Sequence, residues 1–226
     1  MFQAVILDFD GTLLDTEQHN FRCWQLTAES VGFELSEDFY RSLIGLTLED
    51  SNHLLRQQYG HDSPLDHWRA LRRQKFYQLW DEGQGPAWKS GLEQLLPYLE
   101  ERKLKRAIAS SSLKAELEHK LQRSSLLSHF PVRVAGDEVA AGKPQPDVFL
   151  EAARRLDVAP ADCLVVEDSI MGVMAGRAAG MSVVFVPDMV PPDDRVRREC
   201  LAVLASLGEV VDLLETRRGN VAPKET

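Results

Sequence analysis

The sequence predicts a doubly wound α/β fold interrupted once, near its start, by a block of helices. Short aliphatic runs at 4–7, 106–109, 132–135, 163–166 and 182–186 read as strands buried on both faces, as in a parallel sheet. Helical patterns with recognisable starts lie between most of them, and this alternation defines a doubly wound sheet. The interval 16–84 holds no aliphatic strand and reads as several amphipathic helices.

The elements follow in order. The first strand, AVIL, ends at Asp8. Helices then begin near Glu17 and run to Val31, begin again where Thr47 and Asp50 form a cap, and begin a third time at Pro64, ending near Gly83. Gly83, Gln84, Gly85 and Pro86 form the return linker. Ser90 and Glu93 have the spacing of a capping box. Pro146 suits the first turn of a helix through Arg155, and Ser169 opens another that stops at Gly180. The polar stretch 217–226 is expected to fray. The expected organisation is an α/β core of residues 1–15 and 86–226, with residues 16–85 inserted as a helical cap over the carboxyl ends of the strands.

At 226 residues the chain is long enough to bury a sizeable core. A formal net charge of -9 excludes a broad basic face, so neither nucleic acid nor an anionic membrane is an expected partner. Three cysteines, Cys23, Cys163 and Cys200, lack paired spacing, which disfavours a disulfide framework and a structural zinc site. No apolar run reaches membrane-spanning length, and a cytoplasmic monomer is expected, with a homodimer as the alternative.

In open α/β sheets ligands bind beyond the carboxyl ends of the strands. Four such places carry chemistry: Asp8 and Asp10; Ser110, Ser111 and Ser112; Lys143; and Glu167 with Asp168. Residues two apart in an extended chain point the same way, so Asp8 and Asp10 are expected to face one small volume. Each short motif alone is usually a turn or a helix cap, but the four are chemically complementary. Carboxylates of Asp8, Asp168 and Glu167 are hard ligands suited to Mg²⁺, while Lys143 and the serine hydroxyls suit phosphate oxygens. Gly11 permits a sharp turn beside that group. Asp8 is therefore read as a nucleophile and Asp10 as the general acid and base.

DFDGTLLDTE, the serine after AIA, GKPQPDVF and VVEDSIMGV together resemble the four ordered motifs of the haloacid dehalogenase superfamily, in the branch with a helical cap after the first motif. That branch includes sugar-phosphate phosphatases and β-phosphoglucomutase. The resemblance implies a Rossmann-like core, Mg²⁺ dependence, Asp8 and Asp10 in the roles above, and Ser110, Ser111 and Lys143 as phosphate binders. It also implies metal contact from Asp8, Asp168 and the Asp10 backbone carbonyl, with Glu167 behind them.

The resemblance assigns leaving-group contacts to the cap, where Glu17, Gly45, Thr47, Arg72 and Lys75 are candidates. Where the mutase pattern has histidine and arginine this chain has Asn20 and Glu49, which favours hydrolysis over isomerisation. The expected partner is a small phosphorylated metabolite, a sugar phosphate by resemblance. The alternatives are a phosphosugar mutase and a phospho-acceptor signalling module.

Overall fold

The computed structural model describes residues 1–46 and 48–219. The chain divides into two compact units, one of Met1–Leu14 and Trp88–Thr226, the other Asp15–Ala87. Strand β1 (Ala4–Leu7) is followed by α1 (Thr16–Val31), α2 (Glu37–Leu43), α3 (Leu48–Tyr59) and α4 (Leu65–Asp81). The chain continues as α5 (Leu92–Glu101), β2 (Lys105–Ala109), α6 (Lys114–Arg123), β3 (Val132–Val134), α7 (Asp147–Leu156) and β4 (Cys163–Glu167). It ends with α8 (Ile170–Ala178), β5 (Ser182–Phe185), α9 (Asp194–Glu199), β6 (Ala202–Val203) and α10 (Gly208–Gly219).

The first unit is a six-stranded sheet in the order β3-β2-β1-β4-β5-β6, with every neighbouring pair parallel. Leu7 lies in register with Ile108 on one side and Val166 on the other, so β1 is central. All residues of β1 and β4 are buried, which is why β1 and the first four residues of β4 are continuously apolar rather than alternating. Helix α7 packs on β1, β2 and β3, and α8 on β4 and β5. Phe149, Phe185, Ile6 and Val165 belong to the core between them. Emptying one such aromatic position costs about 3–5 kcal/mol. Because all strands run in one direction, their carboxyl ends share one edge, and the connection reverses beside β1.

The second unit is helical, with α1 packed against α4. Its core holds Trp24, Trp68, Phe76 and Trp80. Phe33 stacks at 4.3 Å on Trp68 and 4.5 Å on Tyr59. His19 is buried, with its ring edge-on to Phe76 at 4.6 Å and Nε2 3.2 Å from the Phe76 carbonyl. Burial lowers its pKa. Helix α1 ends at Gly32 with φ of +86°, and the Gly32 N–H donates to the Ala28 carbonyl.

Three local expectations are corrected. Ser90 and Glu93 do not form a capping box, because α5 starts at Leu92 behind Gly91, whose φ of +86° turns the chain into the helix. Helix α2 was not anticipated; it is short, and its start is fixed by Ser36 accepting from the Phe39 N–H at 3.2 Å. Strand β6 has only two residues, too few to leave a hydrophobic signature. The expected cap at Thr47 lies outside the described residues. Among the described residues no helix is long and apolar enough to cross a membrane.

Candidate active site

The carboxyl edge of the sheet gathers a cluster around one lysine. Asp8 is the first residue after β1, and its N–H donates to Val166 O at 3.0 Å, which fixes it between β1 and β4. Lys143 Nζ donates to Asp8 Oδ1, to Glu167 Oε1 at 2.5 Å and to the Ala109 carbonyl at 3.0 Å. The ammonium also lies 4.9 Å from the Phe149 ring centre. Three hydrogen-bond acceptors and an aromatic face thus satisfy a lysine whose side chain is only 4% exposed. Its pKa is raised because the two carboxylates outweigh the effect of burial.

Glu167, the last residue of β4, is fully buried and spends its other oxygen on the start of α8. Oε2 accepts from the Asp168 N–H at 3.0 Å, the Ser169 N–H at 3.0 Å and Ser169 Oγ at 2.9 Å. Both oxygens are thus committed to hydrogen bonds, one to Lys143 and the other to the start of α8. A Cβ on Gly172 would come within 1.8 Å of Glu167 Oε1, so only glycine leaves room for this carboxylate.

Asp168 is held from the β1 side by Thr12, whose hydroxyl donates to Oδ1 at 2.9 Å. Gly11 has φ of +83°, and a Cβ there would stand 2.2 Å from Asp168 Oδ2. Both the turn and the close approach therefore require glycine. Burial raises the Asp168 pKa well above the usual carboxylate range, and the charges of Glu167 and Asp8 add to it. Asp8 is likewise pushed up to about 7, first by burial, with Lys143 opposing and Glu167 reinforcing the shift.

Asp10 does not share the lysine of Asp8. The chain leaves strand geometry after Leu7, so the alternation of an extended chain does not apply. Ser112 Oγ donates to Asp10 Oδ2 at 2.8 Å, and Lys120 Nζ donates to Oδ1 at 2.8 Å and Oδ2 at 2.7 Å. The two aspartates are thus held by two different lysines. Ser110 is buried, and its Oγ accepts from the Ser112 N–H at 3.0 Å, which leaves its own proton available to an oxyanion. Ser111 is exposed.

Sequence reasoning singled out Asp8, Asp10, Ser110, Lys143, Glu167 and Asp168, and all lie on this edge. It missed Thr12 and Lys120, and it named Ser112 in the serine run without giving it a role of its own. Thr12 follows the DFDG run and could have been noticed; Lys120 sits inside α6, where it reads as an ordinary charged face.

Mg²⁺ binds one or two carboxylates, carbonyl oxygen and water, and seldom uses an all-protein cage. Among the described residues no three acidic, histidine or cysteine side chains converge as such a cage. Asp8, buried beside Glu167 and Lys143, and the half-buried Asp168 nevertheless fit the ion: the proton affinity of both is raised, which marks a site short of positive charge.

Within the helical unit, Glu17, Asn20, Gly45 and Arg72 line a cavity of about 210 Å³ with Ser51 and Arg69. The Tyr40 hydroxyl donates to Glu17 Oε2 at 2.7 Å, and Arg72 Nη1 donates to Asn20 Oδ1 at 2.8 Å. Arg69 Nη2 donates to Ser51 Oγ at 3.1 Å and Asn52 Oδ1 at 2.8 Å. Lys75 is not part of this wall, and Thr47 lies outside the described residues.

A model of the haloacid dehalogenase-like hydrolase family matches residues 5–186. The phosphorylated carbohydrates phosphatase of Thermotoga maritima is 31% identical over 187 residues, covering 81% of this chain and 84% of that protein. The β-phosphoglucomutase of Bacillus subtilis is 33% identical over 189 residues, covering 81% and 83%. The crystal structure of a HAD family hydrolase from Deinococcus radiodurans R1, with bound phosphate and sodium, superposes with a TM-score of 0.81 at 28% identity, covering 96% of each chain. Sequence match and strand-edge chemistry agree, and the chain belongs to the haloacid dehalogenase-like hydrolase family.

Proposed function

We propose that this protein is a Mg²⁺-dependent phosphomonoesterase that hydrolyses a small phosphorylated metabolite, a sugar phosphate by class, through an aspartyl-phosphate intermediate. The observation that carries the reading is the separate anchoring of Asp8 and Asp10, one on Lys143 and the other on Lys120 and Ser112. Two carboxylates held in different surroundings can perform two different tasks. The name of the Thermotoga maritima relative supports the substrate class.

In this reading an Asp8 oxygen attacks phosphorus as the bond from phosphorus to the ester oxygen breaks, and Asp10 gives its proton to the departing alkoxide. Asp10 then takes a proton from water as the water oxygen bonds to phosphorus and the Asp8 oxygen departs, which regenerates both side chains and releases phosphate. Lys143 offsets the repulsion between Asp8 and the anionic substrate, and the Ser110 hydroxyl donates to a phosphoryl oxygen. Asp8, Asp168 and the Asp10 backbone carbonyl would hold Mg²⁺, which supplies charge neutralisation at the phosphoryl group. Within the helical unit, Glu17, Asn20 and Arg72 line a cavity whose donors and acceptors suit sugar hydroxyls.

The test is phosphate release from a panel of sugar phosphates, polyol phosphates and nucleotides, each with Mg²⁺ and with chelator. Metal-dependent multiple turnover is the expected result. Interconversion of sugar-phosphate isomers without release identifies a mutase, and a stable phosphoprotein identifies a signalling module.

A further inference from the structure

We propose that Lys120 is a positioning residue for Asp10, fixing the carboxylate that exchanges protons with the leaving group and with water; this rests on the role of Asp10 just given. Lys120 lies in the last turn of α6, beside Leu117 and Leu121, which are 1% and 0% exposed. Its side chain is drawn in until only 12% is exposed. The ammonium spans both Asp10 oxygens and lies 3.3 Å from Ser112 Oγ, which itself donates to Asp10.

An aspartate on a loop has two free side-chain torsions, and one contact would leave it mobile. Here donors arrive from α6 and from the turn after β2, so translation and rotation of the carboxylate are both restricted. A salt bridge at a helix surface adds little stability. Drawing a lysine out of water to make one costs desolvation that such a pair scarcely returns. The gain is geometric: the bidentate contact sets where the Asp10 oxygens lie, and small displacements of a catalytic group lower rates steeply.

The experiment uses the full chain with Mg²⁺ and compares K120M, K120R, D10N and K120M/D10N, each first checked for a native circular dichroism spectrum and melting transition. With an alkyl phosphate, K120M is expected to lower kcat about tenfold to a hundredfold with KM little changed, and K120R to recover most of it. With p-nitrophenyl phosphate, whose leaving group needs no proton, K120M is expected to keep its first turnover as a burst of nitrophenolate and to slow afterwards, when water must be deprotonated. K120M added to D10N is expected to cost nothing more. An unchanged kcat in K120M, an equal loss of first turnover with both substrates, or additive losses in the double variant would each overturn the proposal. Full turnover by D10N would instead remove the role of Asp10 on which the proposal rests.

Discussion

Thr12 and Asp168 face each other across the central pair of strands, with the threonine hydroxyl 2.9 Å from Oδ1. Thr12 is fully buried, and the bond fixes one Asp168 oxygen while leaving the other facing Gly11. Groups that orient a metal ligand typically contribute about 10–100-fold to metal affinity. Thr12→Val keeps the shape and removes the donor. It is expected to weaken Mg²⁺ binding by about tenfold while kcat at saturating Mg²⁺ stays near the wild-type value, measured as activity against metal concentration.

Gly172 and Gly180 should behave differently on substitution by alanine. The Gly172 Cβ would collide with Glu167 Oε1 at 1.8 Å, displacing the carboxylate that supports Lys143. At Gly180, φ is +76° but the space is open, so only the backbone conformation resists. G172A is expected to cost about 3 kcal/mol or more in urea unfolding, and G180A about 1 kcal/mol. Equal costs would contradict the packing described around Glu167.

Lys143→Met leaves Asp8 and Glu167 buried without their shared cation. Breaking a buried ion pair by removing one partner costs about 3–5 kcal/mol. The variant is expected to be inactive and strongly destabilised at pH 8. Because protonation relieves the uncompensated charge, it should regain stability as pH is lowered towards 6, visible in thermal melts at the two values.

The pH dependence of metal binding follows from Asp8. Its folded pKa of about 7 lies above the ordinary 3.8, so between these values the folded metal-free protein binds more protons than the unfolded chain. This contribution to stability therefore declines as pH rises towards 7. A cation must displace the proton, so Mg²⁺ affinity should increase through pH 7 and level off above it. Calorimetry in buffers of different ionisation enthalpy should detect proton release at pH 6 and little at pH 8. Affinity that is flat or falls with pH would contradict the raised Asp8 value.

Asp8, Glu167, Asp168 and Lys143 were legible because three directly follow aliphatic strands and the fourth lies in the loop beyond one; parallel strand ends converge by topology. Lys120 was not, because KAELEHKLQR presents several cations at helical spacing and only the folded chain shows which is drawn inward. Asp8 and Asp10 lie close enough for the Asp10 charge to act on Asp8, but their separate lysines were not legible, because Lys143 and Lys120 come from distant parts of the chain. Ser90 and Glu93 have the right letters for a cap, but Gly91 supplies a left-handed turn that starts the helix differently.

Identification of the phosphorylated residue tests the central claim most directly. D10N is mixed with p-nitrophenyl phosphate and Mg²⁺, quenched in acid within the first turnover, digested and analysed by mass spectrometry. A phosphoryl group on the peptide carrying Asp8, absent from an Asp8→Asn variant treated identically, is the predicted result. Phosphate turnover by the wild-type protein with no phosphoryl group ever found on Asp8, or undiminished turnover by Asp8→Asn, would contradict it.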